Sequence, residues 1–282
     1  MARNTLVRLF SLLLCVLLCA CACFPCEDGA DALRIHFLDV GQGDAILIRT
    51  EEGDVLIDSG TEESQSTLCM RLEEIGVKEI ALAIFTHPDG DHIGGADGVL
   101  ERFFTKTVWL PPSDEENEGL ELLFRVAQSR GTDVQTVTAG ERVIFGETVL
   151  WVMSPAVTAN VASNDQSIVL RLTHGEAVAM FSGDAGVKVE QWLVKTYSSS
   201  QLDCSLYKVG HHGSSTSTSP VFLQAMTPQW AVISCGADNS YGHPHGEVVL
   251  RLEAAGATVL RTDLFGEIVF ECDGKEFIRI EK

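Results

Sequence analysis

The sequence predicts an α/β protein in which two β-sheets pack face to face and helices cover both outer surfaces, a four-layer αββα sandwich. From about residue 32 onwards, short apolar runs rich in β-branched residues alternate with helix-period patterns. The two halves of this region have a similar content of strands and helices, and stacking two sheets beneath helices buries that much apolar strand surface. No Pro/Gly/Ser-rich linker divides the halves, so residues 32–282 are expected to form one domain.

Glycines, prolines and changes of period mark where each element begins and ends. In the first half, strands are expected at residues 33–40, 45–49, 55–57, 80–85 and 107–110, and helices at 62–75, 92–103 and 118–128. In the second half, strands are expected at 143–144, 148–153, 167–172, 177–181, 205–209, 230–234, 258–260, 267–271 and 277–280, and helices at 187–197, 220–226 and 247–255.

Residues 1–22 have the composition of an export leader. Arg3 and Arg8 precede an apolar run at 9–22 that is shorter than the ~20 residues needed to span a membrane. Residues 20–22 fit a small-residue cleavage site, whereas residues 18–21 resemble a lipoprotein box in which Cys21 is acylated. We therefore expect a leader at 1–22, a short linker at 23–31, and an exported protein that is either secreted or held at the cell surface by a lipid anchor.

The chain is acidic, with 40 Asp and Glu residues against 20 Lys and Arg residues and a net charge of −20. The basic residues are scattered singly. No basic nucleic-acid patch is therefore expected, and tight, salt-sensitive binding to DNA is disfavoured. The sequence carries no signal for an oligomeric state.

The segment that indicates chemistry runs from residue 86 to 92, directly after the apolar strand at 80–85. It places His87, Asp89, Asp91 and His92 within six residues, on a turn and the start of a helix. Charge repulsion in so dense a run is removed by a divalent cation, and imidazole with carboxylate suits Zn, Fe or Mn. A polar turn with an aspartate that caps the helix does not explain two histidines.

Further candidate ligands follow other strands. They are Asp58, Asp184, the pair His211 and His212, and His243 with its neighbour His245. Each alone is a weak signal, because an aspartate after a strand is commonly a turn residue. Together they are strong, since six of the eight histidines lie in these segments and in 86–92. Parallel strands of one sheet are expected to deliver them to the same edge.

With these residues the chain resembles the metallo-β-lactamase superfamily, and within it the ComEC-like domains of DNA-uptake proteins. The resemblance extends from about residue 33 to 260. It is carried by residues 37–44 (FLDVGQGD), 56–60 (LIDSG), 86–95 (THPDGDHIGG), 164–167 (NDQS), 182–184 (SGD), 211–214 (HHGS) and 241–244 (YGHP).

The resemblance implies an αββα sandwich with two divalent metal ions (Zn, Mn or Fe) at its edge. His87 and Asp89 would hold one ion, Asp91 and His92 the other, and Asp184 would bridge them. The late histidine ligand falls on His211 or His243, while His212 either binds metal or donates a proton. No histidine near Asn164 matches the family's middle ligand. With Asp89 this makes the first site richer in oxygen, which favours Mn or Fe relative to Zn and leaves a single ion as an alternative.

The resemblance also implies a mechanism in which a hydroxide shared by the metals attacks phosphorus or a carbonyl carbon. Asp58 would orient Asp91, His92 or the hydroxide, so Asp58, Asp91 and His212 are the candidate catalytic residues. Ser214, on the hydroxyl-rich segment 213–219, and Asn164 are candidates for phosphate binding, and backbone N–H groups of that segment are a further candidate.

The expected function is that of an exported, metal-dependent phosphodiesterase or nuclease acting on DNA, a nucleotide or a headgroup. Two alternatives stay open: hydrolysis of a lactone, thioester or lactam at the same site, and a tethered binding protein without activity. Asp89 and the missing middle histidine disfavour a lactamase that relies on three histidines at one zinc.

Overall fold

A computed structural model describes residues 33–113, 117–155 and 163–281. The predicted leader at 1–22 and linker at 23–31 lie outside the described residues. Within the described ranges, no helix combines the length and the apolar composition required to cross a membrane.

The first sheet has, within the described ranges, the strand order β15-β14-β1-β2-β3-β4-β5-β6. Strands β14, β1, β2 and β3 pair antiparallel, whereas β3 to β6 are parallel. The strands are β1 (Leu33–Phe37), β2 (Ile46–Thr50), β3 (Gly53–Ile57), β4 (Glu79–Ile84), β5 (Phe104–Leu110), β6 (Asp133–Thr136), β14 (Ile268–Cys272) and β15 (Phe277–Ile280).

The second sheet has the order β13-β12-β11-β10-β9-β8-β7 in the part of the chain that the structure describes. Its strands β10 to β13 are parallel, and β7 to β10 are antiparallel. The strands are β7 (Arg142–Phe145), β8 (Thr148–Ser154), β9 (Val169–His174), β10 (Ala177–Phe181), β11 (Leu206–Lys208), β12 (Trp230–Ile233) and β13 (Thr258–Arg261).

The helices lie on the two outer faces. Those of the first half are α1 (Gln65–Ile75), α2 (Gly90–Ile93), α3 (Ala96–Arg102) and α4 (Glu118–Arg130). Those of the second half are α5 (Val187–Thr196), α6 (Ser199–Leu202), α7 (Pro220–Met226), α8 (Gly246–Ala254) and α9 (Thr262–Phe265), with 3-10 turns at Ser163–Gln166 and Gly210–Gly213.

Among the described residues, three apolar clusters hold these layers together. One unites both sheets and includes Phe37, Ile84 and Phe181. The second joins the first sheet to its helices, and the third does the same for the second sheet. Burial of these side chains is the main stabilising contribution, at roughly 25 cal/mol per Å² of apolar surface removed from water. The predicted four-layer sandwich is confirmed.

The structure differs from the predicted elements mainly near the 86–92 segment. The helix expected at 92–103 is divided into α2 and α3 at Gly94 and Gly95. A side chain at Gly95 would overlap the carbonyl oxygen of Ser59, so this close approach of two backbones requires glycine. The break lets α2 end against the loop after β3. Strand β6 and the short helices α6 and α9 were not predicted, because their patterns are too short to show a period.

Candidate metal centre

The candidate ligands meet at one edge of the sandwich, but they come from both sheets. Strands β3 and β4 of the first sheet lead to Asp58 and to the 86–92 segment. Strands β10 and β11 of the second sheet lead to Asp184 and to the turn that holds His211 and His212. The expectation that one sheet supplies every ligand is therefore wrong. Each sheet is part parallel, and the carboxyl ends of the two parallel halves converge.

Four overlapping groups of possible ligands lie at this edge among the described residues; two of them include the more deeply placed Asp44, with Asp58 and His92 or with Asp184 and His212, and the other two form the centre. In the first group, ligand atoms of His87, His92 and Asp184 lie within 4.8 Å of one another, and in the second, those of Asp91, His92 and His212 do so. Asp184 Oδ1 lies 3.3 Å from His92 Nε2 and 3.5 Å from His212 Nε2. His212 Nε2 lies 3.3 Å from Asp91 Oδ2. Asp184 therefore stands between the groups.

His211 and Asp89 extend the centre on the side of His87. Asp184 Oδ2 lies 3.5 Å from His211 Nε2 and 3.9 Å from His87 Nε2. Asp89 Oδ2 lies 3.6 Å from His87 Nε2. Asn164 Nδ2 is 3.4 Å from His211 Nε2, so the segment without a histidine borders a histidine that comes from another loop.

The described residues suit divalent metal ions. His87 Nε2 and Asp184 Oδ1 are buried and have no hydrogen-bond partner among the described residues. Leaving such atoms unpaired is costly unless a ligand or ion satisfies them. Imidazole nitrogen with carboxylate oxygen is a donor set for Zn, Fe and Mn.

The electrostatics of the metal-free centre also favour the binding of cations. Burial alone would lower the pKa of His92, but the carboxylates of Asp184 and Asp58 raise it well above its ordinary value. Burial likewise opposes a charged His212, yet Asp184 and Asp44 raise its pKa to about 10. Burial would raise the pKa of Asp184, whereas His212 and His92 hold it well below its usual range. The metal-free pocket therefore binds protons at positions that a metal cation would take.

Asp58 supports the centre from behind. It is fully buried, and its Oδ2 lies 2.9 Å from His92 Nδ1. The backbone N–H and the hydroxyl of Thr86 donate to the same carboxylate at 2.7 and 2.8 Å. Asp58 has φ 58°, a left-handed conformation that is uncommon outside glycine and recurs at functional sites. The contact orients His92 so that its Nε2 faces the other ligands.

The loop after the histidine pair is held from below by a carboxylate. The backbone N–H groups of Thr218 and Ser219 donate to Glu190, which is 1% exposed. These two N–H groups are therefore not free to bind a phosphate, as the sequence had allowed. Ser214 lies at the start of the loop, is buried, and accepts a hydrogen bond from the Thr216 hydroxyl at 3.0 Å.

His243 lies beside both members of the histidine pair but outside the two groups of ligands that meet at Asp184. Its ring centroid is 5.5 Å from that of His211 and 6.3 Å from that of His212. Burial and these two imidazoles lower the pKa of His243 to about 4. Tyr241 stacks on His243 at 5.6 Å with 65% of its surface exposed, and the Asn239 side chain accepts hydrogen bonds from the backbone N–H groups of both.

Two residues next to the centre were not recognised from the sequence. Asp44 ends the 37–44 motif that carries the resemblance, but neither Asp44 nor Lys208 is among the predicted site residues. Both are buried, and Lys208 Nζ lies 2.7 Å from Asp44 Oδ2. The available signal was a single lysine inside the apolar strand run that precedes His211. A lysine at such a position needs a buried partner.

Comparisons with known proteins agree with the fold. Residues 38–237 match the family described as the metallo-beta-lactamase superfamily. The chain is 30% identical over 265 residues to ComE operon protein 3 of Bacillus subtilis, covering 88% of this chain and 34% of that protein. It is 33% identical over 233 residues to competence protein ComA of Neisseria gonorrhoeae, covering 82% and 31%. The chain thus spans about a third of the length of these relatives.

Among solved structures, the metallo-beta-lactamase fold protein YhfI from Bacillus subtilis superposes with a TM-score of 0.56 and 11% sequence identity. The match covers 86% of this chain and 100% of that one. At this identity the likeness concerns the fold alone.

Proposed function

The chain belongs to the metallo-β-lactamase superfamily and is a metallo-β-lactamase-fold hydrolase related to competence proteins, and we propose that it cleaves phosphodiester bonds with two divalent metal ions. The observation that carries the proposal is the convergence of buried imidazoles and carboxylates on Asp184. A decayed, non-catalytic relative would have no reason to keep His87 Nε2 and Asp184 Oδ1 buried and unpaired in this cluster.

The geometry favours one division of the ligands. We assign His87, Asp89 and His211 to the first ion and Asp91, His92 and His212 to the second, with Asp184 between them. This assignment places His211 where the sequence showed no middle histidine, because His211 Nε2 and His87 Nε2 approach the same oxygen of Asp184. His243 is left outside the ligand set.

The chemistry divides between the ions and the protein. When bound, two divalent ions lower the pKa of a water molecule and neutralise negative charge on a phosphate. Asp58 orients His92 through Nδ1, and the carboxylates keep the imidazole nitrogens directed inward. With a pKa of about 4, His243 is neutral near pH 7 and offers a ring N–H to a substrate oxygen rather than a full positive charge.

The surface around the centre limits the substrate. The net charge of −20 disfavours a long polyanion held by charge alone. The exposed ring of Tyr241 stacks on His243, whose ring in turn lies beside that of His212. Tyr241 is therefore suited to stack on a planar group next to the scissile phosphate. Nucleotides and short single strands are therefore candidate substrates alongside long DNA and lipid headgroups. Asn164 and Ser214 are the candidate residues for contact with the phosphate.

We also propose that the protein works outside the cytoplasm. The support is the sequence of residues 1–22, whose charged start and short apolar run are typical of an export leader. Cleavage at 20–22 would give a secreted protein, and acylation of Cys21 would give an anchored one. Mass spectrometry of the mature N-terminus distinguishes the two products.

A substrate panel tests the proposed reaction. The full chain, stripped with EDTA and reloaded with Zn²⁺ or Mn²⁺, is incubated with a dinucleotide, a single-stranded oligonucleotide, a glycerophosphodiester, a lactone, a thioester and a β-lactam. We expect turnover of phosphodiesters that EDTA abolishes, and no turnover by His92→Ala. Turnover of only the lactone, thioester or lactam would replace the proposal by acyl hydrolysis, and absence of any turnover or metal binding would favour a binding protein.

A further inference from the structure

The buried ion pair of Asp44 and Lys208 spans the two sheets directly beneath the metal centre. Asp44 precedes β2 of the first sheet, and Lys208 is the last residue of β11 in the second. Their side chains are 2% and 0% exposed, and Lys208 Nζ lies 2.7 Å from Asp44 Oδ2. Lys208 Nζ also donates to the carbonyl oxygen of Val209 at 2.9 Å. Both charges are therefore fixed by directed contacts.

Asp44 touches both halves of the centre. Its Oδ1 lies 3.4 Å from His212 Nδ1, on the side supplied by the second sheet. Its backbone N–H donates to the carbonyl oxygen of Asp91 at 3.1 Å, on the side supplied by the first sheet. The preceding Gly43 has φ 138°, and a Cβ there would overlap the same Asp91 carbonyl. The turn is thus built to lie against α2.

The contacts of His212 determine which ring nitrogen is free. Nδ1 lies 2.9 Å from the carbonyl oxygen of Ser234, which only accepts, so Nδ1 carries the proton. Nε2 is then the nitrogen that faces Asp91 and Asp184. The Ser234 carbonyl holds the ring, and the Asp44 carboxylate, 3.4 Å from Nδ1, raises the basicity of Nε2 through its negative charge.

We propose that Asp44 and Lys208 are positioning residues for the second metal ion. Their ion pair holds the ligands supplied by the first sheet at the correct distance from His212, which the second sheet supplies. Lys208 fixes the Asp44 carboxylate at 2.7 Å, and Asp44 in turn places a negative charge beside His212 Nδ1 and holds the Asp91 backbone through its N–H. The inference rests on the proposed metal-dependent function, but it concerns metal binding and can be measured without turnover.

Zn²⁺ titration of the EDTA-stripped full chain tests this inference. The variants are Asp44→Asn, Lys208→Met and the double variant, in which both charges are removed together and no buried charge is left unpaired. Lys208→Arg tests rescue by a retained charge. Asp54→Asn is the matched control, because Asp54 is 9% exposed and pairs with Arg49 at 3.0 Å. Competition with a chromophoric chelator gives the number and affinity of bound ions, and thermal melting reports the fold.

We expect the double variant to melt cooperatively and bind the first Zn²⁺ as the wild type does, with affinity for the second reduced about 10–100-fold. Lys208→Arg should recover part of that affinity, and the control should bind both ions normally. Wild-type affinity for both ions in the double variant overturns the inference, as does a double variant that no longer folds, since the pair would then serve stability alone. A wild-type chain that binds no Zn²⁺ instead overturns the proposed function.

Discussion

His92 Nε2 and His212 Nε2 lie 3.3 Å apart in the interior of the protein, although the two residues come from different sheets. Each ring is held through its other nitrogen, His92 by Asp58 and His212 by the Ser234 carbonyl. Two imidazole nitrogens directed at each other need a proton or a cation between or beside them. Asp184 Oδ1 lies within 3.5 Å of both nitrogens, so a cation at this point would also contact a carboxylate.

The division of ligands predicts different outcomes for two neighbouring histidines. His211→Ala should reduce the metal content of the reloaded chain from two ions to about one, because a ligand of the first ion is lost. His243→Ala should keep both ions and lower turnover, because it removes a hydrogen-bond donor to substrate. Metal analysis of dialysed protein distinguishes them. Normal metal content in His211→Ala with a loss in His243→Ala would reverse the assignment.

Removing the support behind His92 should weaken metal binding without removing a ligand. Asp58→Asn keeps the size of the side chain but loses the charge that faces His92 Nδ1, so we expect about 10–100-fold weaker Zn²⁺ binding. Asp54→Asn serves as the control for loss of a buried aspartate. Equal Zn²⁺ affinity in wild type and Asp58→Asn would show that Asp58 only stabilises the loop at Thr86, from which it accepts two hydrogen bonds.

The stability of the metal-free protein should fall as pH rises above neutrality. His212 has an ordinary pKa of 6.5 and a pKa of about 10 in the folded, metal-free chain. The folded chain binds the proton of His212 more tightly than the unfolded chain does. This proton binding stabilises the fold fully below pH 6.5, and the contribution is lost as pH rises towards 10. The melting temperature in EDTA should therefore decrease over this range, and less so for His212→Gln. A decrease of equal size in both proteins would show that deprotonation of His212 is not the cause.

The exposed ring of Tyr241 should select for substrates with a planar group. Stacking of a base on an aromatic side chain is worth ~1–3 kcal/mol, so Tyr241→Ala should raise KM for a dinucleotide about tenfold. Tyr241→Phe should behave like the wild type, and KM for a glycerophosphodiester should not change. An equal rise in KM for both substrates would mean that the residue shapes the loop and not the specificity.

The parts of the site that follow from local sequence were predictable. His87, Asp89, Asp91 and His92 lie within one turn, so their proximity needs no tertiary information. Asp184 could be placed at a strand end from the apolar run before it. The four-layer fold followed from alternating strand and helix patterns, which reflect burial directly.

The remaining features depend on tertiary packing. Consecutive residues His211 and His212 adopt φ values of 48° and 52°, and this backbone conformation sends their rings to different sides of Asp184. Because these backbone angles cannot be read from the sequence, His211 and His243 were equal candidates for the late histidine ligand. Lys208 looked like an ordinary strand residue, since only the approach of the other sheet supplies its partner, Asp44. The two-sheet origin of the centre was missed because sheet assignment is not local.

Metal analysis of wild type and Asp184→Asn tests the central claim most directly. Asp184 is the residue on which both groups of ligands converge. After loading with Zn²⁺ and dialysis, we predict two ions per wild-type chain, fewer than one in Asp184→Asn, and cooperative melting for both proteins. Equal metal content in the two proteins, or none in the wild type, would contradict a binuclear centre at this edge of the sandwich.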